Sequence, residues 1–212
     1  SGNAITDYDR DISGLTALCE ALPAAKNLTA IDFSNCGIKV KGVNEIAKAV
    51  FAGAALNSLR CGSNPITDKG MIPLLDAAKG IGLTELDISK TEVGPPTAAK
   101  LAEVLADGTP FSAAVKKINL SGCPLTGAEK RGGNWCKIDS DMTGFIALCG
   151  VLGKLHEINM SDCGLGAASA GEFAKAVSDA DAALTMACVI GNNPIGSDGA
   201  KLLIEVFDSH PK

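Results

Sequence analysis

The side chains that most often carry out catalysis are sparse in this chain and do not fall into a recognised arrangement. Histidine occurs only as His156 and His210, and the pattern suggests no Ser-His-Asp or Cys-His geometry around either one. No two cysteines have the Cys-x-x-Cys spacing that many structural zinc sites use. Glycine-rich stretches such as GSNPITDKG recur as turns and not as one phosphate-binding loop. We therefore predict no enzyme activity, no catalytic residue, no metal site and no cofactor.

The element that organises the chain is a repeated pattern of apolar-x-x-apolar-x-apolar-x-x-(Asn/Cys/Thr)-x-apolar. Its copies are LTAIDFSNCGI (28–38), LNSLRCGSNPI (56–66), LTELDISKTEV (83–93), VKKINLSGCPL (115–125), LHEINMSDCGL (155–165) and TMACVIGNNPI (185–195). Each copy begins with the alternation of a strand and is followed by apolar residues at helical spacing. A fixed spacing of this kind predicts a stack of strand–helix units in which each repeat packs on its neighbours.

The charge balance excludes two classes of partner. The net charge is −5 and the isoelectric point is about 5.0, whereas a nucleic-acid surface must neutralise phosphates. An acidic chain is equally unsuited to an anionic membrane surface. No apolar run approaches the ~20 residues that span a bilayer. We expect no nucleic acid and no membrane as partner.

The cysteines predict a reducing compartment. The chain has 8 of them, and Cys36, Cys123 and Cys163 all occupy the turn slot of the pattern. Cys61 and Cys188 fall on its apolar positions. Free cysteine behaves as a small apolar residue in such core slots, and disulfides are rare in the cytosol. We therefore expect reduced cysteines and a cytoplasmic location.

Three segments depart from the regular repeat. Residues 1–27 are predicted to form an N-terminal capping helix segment, with a helix from Asp11 onward, and residues 197–212 a closing helix. Between them, 28–196 form the repeats of one domain. An insert at about 126–140 lengthens the fourth repeat and carries Trp135, the only tryptophan, near Lys130, Arg131 and Lys137.

Four finer expectations concern single elements. GTPFSAA (108–114) should bulge out as a loop, and Pro73 should lie in the first turn of its helix. Thr67 or Asp68 is expected to cap that same helix. Leu28 should face the core with Ile31 and Phe33.

The sequence also contains a duplication that is longer than the eleven-residue pattern. ISGLTALC (12–19) resembles MTGFIALC (142–149), at an offset of 130 residues (12 to 142). AKAV recurs at 47–50 and 174–177, and Asn-Pro-Ile at 64–66 and 193–195. These offsets align residues 1–10 with the end of the insert. The chain therefore reads as a duplicated block that can belong to a longer array.

The pattern resembles the leucine-rich repeat, and its long period with a full helix resembles the ribonuclease-inhibitor-like class. The Cys or Asn in the turn slot and the AxxLAxxL-like helix at 100–105 carry this resemblance. It implies an α/β fold, a curved right-handed solenoid of about six repeats plus an N-terminal helix. Parallel strands would line the inside and helices the outside.

Outward positions of the predicted strands are the first candidate binding site. Alternation places one central residue of each strand on the concave side; these are Asp32, Arg60, Asp87, Asn119, Asn159 and Val189. Arg60 stands out, because arginine and aromatic residues dominate interface hot spots. The alternative is a solvated sheet whose charges pair across adjacent strands.

Trp135 in the insert is the second candidate binding site. An exposed tryptophan flanked by lysine and arginine could anchor a partner. The alternative is that Trp135 folds back onto the stack and orders the insert.

A non-catalytic scaffold that binds a protein partner explains these features best. The partner is not identified by the sequence. The alternative is a regulator of an enzyme or small GTPase, of the inhibitor-like or activator-like kind. We expect a monomer, or weak self-association through the exposed strand edges at the ends of the stack.

Overall fold

A computed structural model describes residues 2–53, 55–106, 108–178 and 187–209. The strands are β1 Ala30–Asp32, β2 Ser58–Arg60, β3 Glu85–Asp87, β4 Lys117–Asn119, β5 Glu129–Arg131, β6 Asn134–Cys136, β7 Glu157–Asn159 and β8 Ala187–Val189. The α-helices are α1 Ser13–Ala21, α2 Val40–Phe51, α3 Asp68–Ala78, α4 Pro95–Ala106, α5 Pro110–Ala114, α6 Thr143–Cys149, α7 Ala167–Ser178 and α8 Gly196–Ser209. The C-terminal residues 210–212 of the predicted closing helix, and His210 with them, lie outside the described residues.

One strand from each copy of the pattern joins a parallel sheet in the order β1-β2-β3-β4-β7-β8. The register is the same throughout, so that Leu59 pairs with Leu86 and Ile118 with Ile158. These central residues are buried and their neighbours along each strand point the other way. The prediction of an α/β fold with a parallel sheet is confirmed.

Aliphatic residues and cysteines fill the core between the sheet and the helices. Phe111, Phe145 and Phe173 are its largest fully buried side chains. Burial also raises the pKa of the Cys61 and Cys163 thiols. A thiol kept neutral in this way is an inert packing group and not a nucleophile.

Asn64 closes the turn that follows strand β2 and also serves the repeat before it. Its Oδ1 accepts hydrogen bonds from the backbone N–H groups of Cys36 and Ile38, both at 3.0 Å. Its Nδ2 donates to the carbonyls of Phe33 and Cys61, both at 2.8 Å. Asn64 is 1% exposed. If its side chain were removed, water could not reach these backbone groups to take its place as hydrogen-bond partner.

Asn193 repeats this network in the second half of the chain. Its Oδ1 accepts from the N–H groups of Cys163 and Leu165, and its Nδ2 donates to the carbonyls of Met160 and Ile190. The offsets match those seen in the sequence, for example Cys36 to Cys163. The duplication is therefore present in the hydrogen bonding as well as in the residues.

Aspartates of one repeat bind the start of the helix in the next. Asp68 accepts hydrogen bonds from the N–H groups of Gly94 and Thr97 at 2.9 and 3.1 Å. The expected cap of α3 by Thr67 or Asp68 is wrong. The Thr67 side chain makes no capping hydrogen bond at the start of α3, and the Asp68 side chain binds the start of α4 instead.

Asp9 and Asp139 play the same role in the two halves. Asp9 accepts from the N–H groups of Lys39 and Lys41, and Asp139 from those of Gly166 and Ala168. A carboxylate in this place satisfies unpaired N–H groups and the positive end of the helix dipole.

The structure also corrects the other three local expectations. GTPFSAA does not bulge out as a loop, because 110–114 form α5 and the side chain of Phe111 is fully buried. Pro73 lies inside α3, beyond its first turn. Leu28 is 37% exposed, because no described strand or helix covers the outer side of β1.

Glycines allow neighbouring helices to approach closely. A Cβ on Gly144 of α6 would lie 2.0 Å from the carbonyl oxygen of Pro95 in α4. A Cβ on Gly70 of α3 would lie 2.5 Å from Val43 of α2. Gly14 of α1, the counterpart of Gly144, has no atom within 4 Å of a Cβ.

We expect Asn64→Ala to lower the free energy of unfolding by about 3 kcal/mol, because several buried backbone groups lose their partner. Urea denaturation measures this change. Asn57→Ala is the matched control, since Asn57 is exposed and should change stability by less than ~0.5 kcal/mol. Equal effects of the two variants would contradict the role given to Asn64.

Gly144→Ala and Gly14→Ala should change stability in opposite directions. The first substitution forces α4 and α6 apart and should cost about 2 kcal/mol. The second adds a better helix former in open space and should stabilise by up to ~0.8 kcal/mol. Thermal unfolding of both variants checks the contrast, and destabilisation by both would refute it.

Candidate partner-binding surface

The strand ends bring the predicted residues into one row on the sheet face that points away from the buried side chains. Backbone pairing places Asp32 beside Arg60, Arg60 beside Asp87, Asp87 beside Asn119, and Asn119 beside Asn159. We call this row and its flanking outward residues the polar sheet face. Val189, predicted to be the sixth member, is described only in its backbone.

Ion pairs cross the polar sheet face between adjacent strands. Arg60 Nη2 lies 2.8 Å from Glu85 Oε1, and Lys117 Nζ lies 2.7 Å from Glu157 Oε2. The sequence expectation of charges that pair across strands therefore holds for both basic residues of the face. These groups are partly exposed, and such pairs contribute little stability.

The row is also held in place along each strand. The carboxylates of Asp32 and Asp87 accept hydrogen bonds from the N–H groups of Ser34 and Ser89, at 2.7 and 2.9 Å. Asn119 Oδ1 accepts in the same way from Ser121. This recurring bond fixes the side chains, so the face is largely organised before any partner arrives.

Two carboxylates in the row have a distinct electrostatic setting. Asp87 accepts a hydrogen bond from Asn119 Nδ2 at 3.1 Å. Partial burial raises the pKa of Asp32, but the hydrogen bonds from Ser34 and the charge of Arg60 outweigh it, so the net pKa lies below its ordinary value. Asp32 is thus a stable anion at neutral pH.

A shallow cavity of about 240 Å³ lies at the centre of the polar sheet face. Its walls include Arg60, Asp87, Lys117, Asn119 and Asn159. The lining is polar and charged, which suits the docking of a polar segment better than an apolar ligand.

Trp135 lies in the insert, which forms an antiparallel hairpin of β5 and β6. Its Nε1 donates a hydrogen bond to Asp162 Oδ1 at 3.0 Å, and Lys130 Nζ lies 4.9 Å from its ring centre. The ring also covers Gly164 in the next turn, where an added Cβ would meet it at 2.8 Å. Trp135 is half-buried, so the structure places it against the turn that follows β7.

A groove on the helical side was not anticipated from the sequence. It lies between α6, α7 and α8, encloses about 800 Å³, and is lined by Met142, Ile146 and Leu202 among others. A sequence signal for it lies in the duplication, because Ala168 and Gly171, which line the groove on α7, stand where α2 has the larger Lys41 and Asn44.

Two further properties bear on the kind of site. Within the described ranges, no three His, Cys, Asp or Glu side chains are grouped closely enough to hold a metal ion. None of the helices that the structure describes combines the length and apolar character needed to cross a bilayer.

One family of repeat sequences matches part of the chain. A sequence model of the family described as "Leucine Rich repeat" matches residues 24–47. That segment holds β1, the turn at Cys36 and the first turns of α2, and the later copies repeat this arrangement. The match and the recurring unit support a leucine-rich repeat protein.

The tropomodulin C-terminal domain from Caenorhabditis elegans is a similar solved structure, with a TM-score of 0.46 and 11% sequence identity. The likeness covers 92% of this chain and 91% of that chain. No curated protein matches this chain. A likeness at this level supports no functional conclusion.

The docking of Trp135 should depend on the charge of Asp162. Partial burial raises the pKa of this carboxyl, but hydrogen bonds from Lys130 and Trp135 outweigh it and hold the pKa below its ordinary value of 3.8. A lowered pKa means that the stabilisation is present above pH 3.8 and is lost as the pH falls through the folded-state value. Trp135 fluorescence should shift to longer wavelength only when the pH falls through this folded-state pKa.

Asp162→Asn is the matched variant for this titration, because asparagine tolerates the positive φ of 55° at this position. It keeps the hydrogen-bond acceptor and removes the charge, so the acid shift should disappear. Far-UV circular dichroism distinguishes local release from unfolding. An unchanged acid shift in Asp162→Asn would contradict the assignment.

Proposed function

We propose that this chain is a non-catalytic scaffold of the ribonuclease-inhibitor-like class that binds a protein partner on its polar sheet face. The observation that carries the proposal is the row of Asp32, Arg60, Asp87, Asn119 and Asn159, held in one register on consecutive strands. Asp32, Asp87, Asn119 and Asn159 each accept a hydrogen bond from a backbone N–H group, and this pre-ordering lowers the entropic cost of binding.

The charges of the face favour a partner segment that carries basic residues. Arg60 and Lys117 are already paired with Glu85 and Glu157. Asp32 and Asp87 flank Arg60 in the register, and their described hydrogen bonds come from neutral groups. Two such carboxylates, one on each side of Arg60, suit lysine or arginine side chains of a partner.

The cysteines favour the cytoplasm as the place where the protein works. Of the seven cysteines whose side chains the structure describes, six are buried. Burial beside Glu45 raises the pKa of Cys19 to about 11, which keeps that thiol protonated. Thiols that are each buried at a separate core position are suited to a reducing compartment.

Regulation of an enzyme or small GTPase is the narrower form of the same proposal. A regulator would use the polar sheet face to bind its target, so the two forms share a site and differ in the consequence of binding. Rates of GTP hydrolysis, measured across a panel of small GTPases, separate the two forms. If the chain changes none of these rates, the scaffold without a GTPase-regulating role is favoured.

The hairpin is the alternative site on this chain. Trp135→Phe keeps an aromatic ring against Gly164 and removes the indole N–H that Asp162 accepts. If a purified partner lost affinity with Trp135→Phe and not with variants of the sheet, the site would lie on the hairpin.

Neutralising the face should weaken the complex. The partner captured on the immobilised wild-type chain would be purified and titrated against the double variant Asp32→Asn with Asp87→Asn. We expect a loss of about tenfold in affinity and a weaker dependence on salt, because two charge-assisted contacts are lost.

Asp198→Asn with Asp208→Asn is the control, since it makes the same change of charge on the exposed side of α8. This control should bind as tightly as wild type. Equal losses in the two double variants would mean that only the overall charge matters, and would reject the polar sheet face as the site.

A further inference from the structure

The outer side of α1 and β1 exposes residues whose counterparts in the second half of the chain are buried. Leu18 is 42% and Leu28 37% exposed, whereas the matching Leu148 and Leu155 are fully buried. We call the surface formed by Gly14, Leu18, Leu28 and β1 the N-terminal edge.

In the second half, α4 and β4 cover the equivalent surface. Gly144 allows the backbone of α4 at Pro95 to lie against α6. The N–H groups of His156 and Glu157 donate to the carbonyl of Lys116, at 2.8 and 2.9 Å, and β4 pairs with β7 in parallel register.

The N-terminal edge keeps the features that this contact requires. Gly14 leaves a Cβ-sized space with no described atom within 4 Å. By register, Ala30 and Asp32 correspond to Glu157 and Asn159, whose amides face β4. Strand β1 pairs with β2 on its other side. The edge therefore offers both an apolar contact and a strand-pairing site.

Residues 2–10 give a second and independent indication. Asp7 and Asp9 have φ values of 41° and 65°, and their counterparts Lys137 and Asp139 have 51° and 54°. Asp9 and Asp139 also bind the equivalent helix starts. In these two features the segment resembles the end of the hairpin insert, whose first strand β5 follows the repeat of α4 and β4 in the chain.

We propose that a further leucine-rich repeat of the α4–β4 kind, carried on the same polypeptide ahead of residue 1, covers the N-terminal edge. Its strand pairs in parallel with β1, and its helix packs on α1 at Gly14 and Leu18. The segment 2–10 argues for the same polypeptide, because its counterpart in the second half is continuous with the covering repeat. This proposal does not rest on the proposed function.

The native polypeptide tests the proposal. An antibody against the 212-residue chain would isolate it from its source cells for intact-mass and peptide analysis. We expect a mass above 21.5 kDa and peptides ahead of Ser1 that carry the eleven-residue pattern. A native polypeptide that begins at Ser1 would overturn the proposal.

Hydrogen exchange tests the contact itself. The amides of Ala30 and Asp32 should exchange at least ~100-fold more slowly in the native polypeptide than in the 212-residue chain, because pairing removes them from water. Equal exchange would overturn the proposal. Protection that rises with the concentration of the 212-residue chain would overturn it in favour of a second molecule at this edge.

Gly14→Ala tests the proposed contact between α1 and the helix of the covering repeat. In the native polypeptide it should unfold more easily than wild type, as Gly144→Ala does in either chain. In the 212-residue chain the same variant should be at least as stable as wild type. A variant that is neutral in both chains would mean that no helix packs against Gly14.

Discussion

Each repeat in this chain depends on a polar side chain from its neighbour to satisfy backbone groups that its own turn leaves unpaired. Asn64 binds the N–H groups of Cys36 and Ile38 in the repeat before it, and Asp68 binds those of Gly94 and Thr97 in the repeat after it. Because these bonds cross between repeats, a single repeat cannot bury its turn alone. Stability is therefore shared along the stack and is lowest at its ends.

The same constraint organises the polar sheet face. Fixed turns impose one register on β1 to β4 and β7, and that register lines up the side chains that follow the central Leu or Ile of each strand. Hydrogen bonds from serine N–H groups, as at Asp32 and Asn119, hold the row still. The packing constraint thus fixes where these solvent-facing side chains lie, while it does not fix which residue types occupy the positions.

The sequence predicts features that depend on one repeat and misses those that depend on two. The strand alternation and the turn slot of Asn64 follow from spacing alone. The role of Asp68 could not be read, because its partners lie 26 residues or more along the chain, at Gly94 and Thr97. The pattern predicts a core position for Leu28, yet burial there requires a neighbour on the outer side of β1. For Trp135, both outcomes were open, since only the fold brings Asp162 and Gly164 beneath it.

A photo-crosslinking amino acid at position 119, in the centre of the polar sheet face, tests the central claim most directly. The same amino acid at position 69, an exposed site on α3, is the control. Irradiation in cells should join a protein partner to the chain at position 119 and not at position 69. Adducts that form at 69 with none at 119 would place binding on the helices and contradict the account.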